Sequence, residues 1–245
     1  MSHNIEIKEG AFIISDAHYS HLRPELLGLI EDIHTKKLIP SQLILMGDIF
    51  DALFGNIPLT QHTNRNMIRL LNEISQEIEV IYLEGNHDFY LKKIFPKIKT
   101  FSISKQPLSC KYNDKKVFLA HGDFDMGLWY KIYTALIRNP FLLFLLKYID
   151  IFMNHLILKN VDNHLYKKND CREFIGFKEY IDKRLVNKYK CEYFIEGHFH
   201  QNRTIYFKTF TYINLGAFAC NQRYFIVKSL KYKELLEEKI FSKGI

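Results

Sequence analysis

Five short apolar runs along this chain each end in residues of the kind that bind metal ions. AFIIS leads into Asp16-Ala17-His18, QLILM into Gly47-Asp48-Ile49-Phe50-Asp51, and EVIYLE into Gly85-Asn86-His87-Asp88. KVFLA leads into His121-Gly122-Asp123, and CEYFIE into Gly197-His198-Phe199-His200. Each run has strand length and is rich in Ile, Val, Phe or Tyr. Between them the apolar residues take helical spacing: Leu26, Ile30 and Ile33; Met67, Leu70, Leu71, Ile74 and Ile78; Phe174, Phe177, Ile181 and Leu185. Strands alternating with helices predict an α/β sheet, in which ligands gather beyond the carboxyl ends of the strands. All five polar clusters fall at that edge.

The donor types narrow the chemistry. Asp, His and Asn offer carboxylate oxygen, imidazole nitrogen and amide oxygen, a set suited to Mn, Fe, Ni or Zn and unlike a thiolate site. Two cations about 3.5 to 4 Å apart can clamp both attacking and leaving oxygens in a phosphoryl displacement. Holding them so close needs a bridging anion, and Asp48 is the candidate. His3, His21, His34, His62, His155 and His164 lack such a context and read as ordinary surface or packing residues.

At 245 residues the chain has room for one domain, 1–245, carrying an insertion. A formal charge of +7 favours anionic partners but does not choose among nucleic acid, phosphorylated substrate and acidic membrane. Cys110, Cys171, Cys191 and Cys220 are far apart with no CxxC pair, which argues against a zinc knuckle or disulfide framework and for reduced thiols. The first ten residues have no apolar signal-peptide core, so a cytoplasmic location is expected. The tail SLKYKELLEEKIFSKGI reads as a charged amphipathic helix.

The stretch RNPFLLFLLKYIDIFMNHLILK, Arg138 to Lys159, is almost oily enough to span a bilayer, which takes about 20 predominantly apolar residues. As a helix, however, Lys147, Asp150 and Asn154 form one narrow polar stripe, and Asn139-Pro140 make a cap and first-turn pair. It is expected to be amphipathic and to project beside the site as a lid, within an insertion over 126–168.

The five clusters resemble the signature of the calcineurin-like metallophosphoesterases: D-x-H, G-D-x-x-D, G-N-H-D, an H-G-D-type histidine and G-H-x-H. The resemblance implies a four-layer αββα sandwich of two sheets between helices. It also implies two divalent cations, Mn2+ first among Fe2+, Ni2+ and Zn2+. One metal would be held by Asp16, His18, Asp48 and His200, the other by Asp48, Asn86, His121 and His198. His87 would reach the leaving oxygen with Asp88 orienting it, and Asp51 and Asp123 would support ligands or touch substrate.

LMGDIFDALFG (45–55) and RNPFLLFL (138–145), with the insertion, further resemble the UDP-2,3-diacylglucosamine hydrolases of lipid A biosynthesis. That resemblance implies cleavage of a lipid-linked nucleotide to UMP and 2,3-diacylglucosamine 1-phosphate by an enzyme peripheral to the inner membrane, with no nucleic-acid partner. Acyl chains would lie against Leu142 and Leu145. Phosphates would meet Asn86, Asp123, Lys159, Lys167 and Lys168, with Arg172 a further cation nearby. Many members of that branch have Arg where this chain has His87, and G-H-T-H where it reads GHFH. The alternatives are a metallophosphoesterase acting on another phosphodiester or nucleotide, and a non-catalytic nucleic-acid-binding protein.

Overall fold

The computed structural model describes residues 5–156, 160, 171–229, 231–232 and 234–242. Its strands are β1 (Ile5–Glu6), β2 (Phe12–Ile14), β3 (Leu43–Leu45), β4 (Leu53–Phe54), β5 (Val80–Leu83), β6 (Asp88–Phe89), β7 (Lys99–Phe101), β8 (Leu108–Tyr112), β9 (Lys115–Ala120), β10 (Tyr193–Glu196), β11 (Arg203–Tyr206), β12 (Thr211–Asn214), β13 (Arg223–Val227) and β14 (Leu236–Ile240). Two six-stranded sheets form, in the orders β14-β13-β2-β3-β5-β7 and β1-β8-β9-β10-β12-β11, beside the small pair β4-β6. Helices α1 (Glu25–His34), α2 (Pro58–Thr63) and α3 (Arg65–Glu77) belong to the first half. The second half contributes α4 (Leu128–Ile137), α5 (Pro140–Phe152), α6 (Phe177–Leu185) and the single turn α7 (Phe218–Asn221).

The continuous apolar runs are explained by burial on both faces of each sheet. Side chains alternate along a strand. Phe12 and Ile14, Leu43 and Leu45, and Val80 and Tyr82 point to a core that they share with Leu26, Leu29, Met67 and Leu71 of α1 and α3. Their neighbours Ile13, Ile44 and Ile81 point the other way and meet Val117, Leu119, Ile195 and Ile213 of the second sheet. Beyond that sheet, Phe194 and Tyr212 pack on Phe177, Ile181 and Leu185 of α6. The layers are therefore helix, sheet, sheet, helix, as expected. Strands β2, β3 and β5 run parallel, as do β9 and β10, so all five polar clusters emerge at strand ends.

Three expectations are corrected. The tail is not a helix: Leu236–Ile240 pairs antiparallel with β13, Leu236 opposite Val227 and Ile240 opposite Arg223. Leu235 and Leu236 are buried against the inter-sheet core, and the Lys and Glu residues that follow suit an edge strand. The cysteines are not all reduced, because Cys171 and Cys220 form a disulfide, while Cys110 and Cys191 are free and buried. Spacing alone did not reveal that the chain after the insertion returns beside α7.

The third correction concerns the oily stretch. Asn139 caps α5 as expected, its side chain accepting from the N–H groups of Phe141 and Leu142, and Pro140 opens the helix. No helix among the described residues is long and apolar enough to cross a membrane. But the polar stripe does not simply face solvent: Asp150 is buried and hydrogen-bonds His155 at 2.9 Å, Lys147 is half-buried and Asn154 exposed, whereas the apolar Phe141 and Phe152 are 77% and 93% exposed. The helix therefore carries apolar surface both toward the core, at Leu143, and outward, at Phe141 and Phe152.

Candidate metal centre

The ligand loops depart from ordinary backbone. Asp16, His18, Asp48, His198 and His200 have φ of 51°, 48°, 49°, 63° and 57°, left-handed values that cost a residue with a side chain about 1 kcal/mol or more each. Such bends turn consecutive side chains back over the strand ends. Two glycines allow the loops to approach one another. A Cβ on Gly85 would stand 2.1 Å from Asp48 Oδ1, and one on Gly197 would stand 2.5 Å from Asp16 Oδ2.

Two clusters of the expected ligands result, Asp16-His18-His200 and Asp48-His121-His198, and a third group, His18-Asp51-His87, adjoins them; in each the donor atoms lie within 4.8 Å of one another. The first two adjoin at His121, whose Nε2 is 3.3 Å from Asp16 Oδ1 and 3.5 Å from Asp48 Oδ2. His200 Nε2 is 3.1 Å from Asp16 Oδ1. Both ring nitrogens of His18 and the Oδ1 of Asn86 are buried without a hydrogen-bond partner. Buried polar atoms are rarely left so, and unpaired imidazole and amide donors beside carboxylates are what a cation site provides. The donor set thus fits two divalent ions.

The charges within this cluster are strongly coupled. Burial alone would raise Asp48, but the imidazoles of His121 and His87 hold its carboxyl well below the usual range. Asp16 is likewise buried, yet His200 and His121 hold it low. Burial opposes a charged ring at His121, and the carboxylates of Asp48 and Asp123 overcome it and raise His121 well above an ordinary histidine. His198, desolvated and facing that positive charge, falls to about 4.

Around the ligands, the supporting residues take particular roles. His121 Nδ1 hydrogen-bonds Asp123 Oδ1 at 3.0 Å, and Tyr130 donates to Asp123 Oδ2 at 3.3 Å. Asp123 is 1% exposed and lines neither cavity described below, and its bond to Nδ1 orients the His121 ring. Asp51 Oδ1 lies 3.3 Å from His18 Nδ1 and 3.6 Å from Arg23 Nη1. His87 Nδ1 donates to the backbone oxygen of Asp51 at 2.9 Å, which turns Nε2 toward the cluster, 3.9 Å from Asp48 Oδ2.

Asp88 does not orient His87. Its carboxylate accepts the N–H groups of Ile49 at 2.7 Å, Gly85 at 2.9 Å and Asp48 at 3.1 Å, and the Tyr82 hydroxyl at 2.6 Å. Its side chain is turned beneath the loops, where it ties the second and third ligand segments together.

Two cavities open from the cluster. One, of about 470 Å3, is lined by His18, Asp48, Arg172, Phe174, Phe199 and Gln201. The other, of about 970 Å3, runs between Phe54, Ile57 and Phe89 of the core and Leu142, Leu143 and Leu146 of α5. Asn86, His87 and His198 line both. Leu142 lies on the larger cavity as expected, whereas Leu145 points elsewhere and is 47% exposed. Lys159, Lys167 and Lys168 lie outside the described residues.

Some supporting residues carried no motif. Arg184 binds Glu196 at 2.9 and 2.7 Å and the carbonyl of Gly122 at 2.8 Å, and Asn214 Nδ2 donates to the carbonyls of Glu196 and Gly197. The one signal available was the repeated Glu-Gly at the ends of β5 and β10.

With two sheets delivering Asp, His and Asn donors to one edge, the class is a dinuclear phosphoesterase. A profile of the calcineurin-like phosphoesterases matches residues 11–202, and the chain belongs to that family. Curated relatives named UDP-2,3-diacylglucosamine hydrolase include that of Pseudomonas fluorescens SBW25, 24% identical over 197 residues, covering 77% of this chain and 78% of the relative. Those of Aliivibrio fischeri MJ11 and Haemophilus influenzae Rd are 26% and 25% identical, covering 83% and 84% of this chain and 88% and 89% of their own. Among solved structures, an archaeal phosphodiesterase aligns with TM-score 0.46 at 16% identity, over 94% of this chain and 99% of that one.

Proposed function

We propose that the protein hydrolyses the pyrophosphate bond of UDP-2,3-diacylglucosamine, giving UMP and 2,3-diacylglucosamine 1-phosphate. The observation that carries this reading is the meeting of two unlike cavities over one ligand cluster. A substrate with a nucleoside on one side of a pyrophosphate and acyl chains on the other needs that layout. The smaller cavity, with Arg172 and aromatic walls, suits the nucleotide; the larger, walled by α5, suits the acyl chains. The names of the relatives above support the same substrate.

Two divalent ions, Mn2+ first among Fe2+, Ni2+ and Zn2+, would supply charge neutralisation at the phosphoryl oxygens and an activated water. The residues of the chain do the rest. Asp123 fixes the His121 ring through Nδ1, and Asp51 faces His18. His87 presents Nε2 to the junction of the two cavities, where it can meet the leaving phosphate as a cation or proton donor. A phosphate departs without full protonation, so His87 in this place is compatible with the Arg of many relatives.

The outward apolar faces of α4 and α5, with the +7 charge, support peripheral binding to the acidic inner-membrane surface, where the substrate resides. The deciding experiment is UMP release from UDP-2,3-diacylglucosamine by protein loaded with Mn2+, beside Leu142→Asp and Leu146→Asp variants. Wild-type release, with variants impaired on the lipid far more than on bis(p-nitrophenyl) phosphate, is expected. Turnover of the soluble diester without UMP release overturns the substrate assignment.

A further inference from the structure

Arg138 occupies the junction between α4 and α5, 53 residues from Gly85, yet it is seated on the loop that presents Asn86 and His87. Its Nη2 donates to the carbonyl of Gly85 at 2.6 Å, and its Nη1 lies 3.6 Å from Glu84 Oε2. The guanidinium stacks 4.8 Å from the Phe89 ring centroid, and the backbone oxygen of Arg138 accepts the Tyr90 hydroxyl. One residue of the insertion therefore grips the chain on both sides of Asn86-His87. The contacts continue to a ligand of the other sheet: Gln106 donates to the Glu84 carbonyl at 2.7 Å and accepts the His121 N–H at 2.6 Å.

The second sheet repeats the construction. Arg184 binds Glu196, which closes β10 as Glu84 follows β5, and the carbonyl of Gly122 next to His121. It too lies over aromatic rings, those of Phe124 and Phe199, at 4.9 and 5.3 Å. The difference is origin: Arg184 comes from the core helix α6, Arg138 from the insertion.

We propose that Arg138 is a positioning residue that sets the Asn86-His87 loop, so that the insertion is part of the assembly of the dinuclear site. Docking the insertion does not require it, since Leu143 already packs on Ile57 and Phe89. A buried ion pair is a poor source of stability compared with apolar packing. What it supplies here is direction, because a planar fork reaches a carbonyl and a carboxylate together and a lysine does not. The inference rests on the metal ligands alone and is independent of the substrate reading.

The test uses full-length, metal-stripped protein, with Mn2+ binding followed by calorimetry and turnover measured on bis(p-nitrophenyl) phosphate, which has no acyl chains. Arg138→Ala is expected to weaken one of two Mn2+ sites by about 10- to 100-fold, as loss of a ligand-supporting contact does. The other site should keep its affinity, kcat should fall with KM little changed, and added guanidinium should restore part of it. Arg138→Lys retains charge and serves if the alanine variant does not fold; it is expected to show the same loss in smaller measure. Lys131→Ala, on the exposed face of α4, should match wild type. Two sites of wild-type affinity and wild-type kcat in Arg138→Lys, or in a folded Arg138→Ala, overturn the proposal.

Discussion

Asp48 accepts the backbone N–H of His87 at 2.9 Å through Oδ1, which leaves Oδ2 directed at His121 Nε2, 3.5 Å away. One carboxylate thus ties the third ligand loop in place and offers its free oxygen to the cluster. Replacing Asp48 by Ala removes both functions, and turnover should fall by on the order of 100-fold or more, with metal content reduced. Metal analysis of the purified variant, alongside its rate, decides the matter; full activity with two bound ions would refute a bridging role.

Gly85 and Gly197 are held at contact with ligand carboxylates, so alanine at either position must displace Asp48 or Asp16. Each substitution should weaken Mn2+ binding by about 10- to 100-fold while the protein still folds. Circular dichroism and calorimetric titration on the same samples separate the two effects. Wild-type affinity in both variants would show that the loops yield at no cost.

In the metal-free protein His121 is held above the ordinary histidine range by Asp48 and Asp123 and is charged at neutral pH. A raised value in the folded state stabilises the metal-free fold below about pH 6.5, the unfolded value, and that contribution is lost as pH rises through the raised one. Metal binding requires the neutral ring, so loading at pH 7 should release about one proton and affinity should rise with pH. Calorimetry in two buffers of different ionisation enthalpy reads the proton directly. Heats independent of buffer would show His121 already neutral.

His87 turns Nε2 to the junction of the cavities through its bond to the Asp51 carbonyl. If a cation suffices for a phosphate leaving group, His87→Arg should retain most pyrophosphate hydrolysis. It should lose about 10- to 100-fold on a diester whose leaving oxygen needs a proton. His87→Ala should lose both. Parallel rates on the two substrate types distinguish the roles, and equal losses in His87→Arg would make proton donation essential to each.

The ligand set was readable because it is local: each cluster directly follows a strand of its own, and β-strand periodicity places such residues at a sheet edge without knowledge of the topology. That there are two sheets came only through the resemblance, since a run buried on both faces looks the same in either. The function of Asp88 was misread because proximity to His87 in sequence suggested contact, whereas its carboxylate accepts from backbone N–H groups in the turns that follow β3 and β5. The contacts of Arg138 and Arg184 were not readable, although RNPFLLFL and the repeated Glu-Gly stood out, because each acts across more than 50 residues of sequence on a carbonyl that any residue could supply. The burial of Asp150 on α5, beside exposed phenylalanines, departs from a rule that assumes polar residues turn to water.

Each of the two ligand clusters draws on both sheets: Asp16 and His18 with His200, and Asp48 with His121 and His198. Elsewhere the sheets meet through interleaved apolar side chains, which resist separation but permit small slippage. Ions at this edge would act as rivets through the sandwich. Shear between the layers would be blocked where the chemistry occurs and tolerated at the far edge, so metal loading should make the protein mechanically asymmetric.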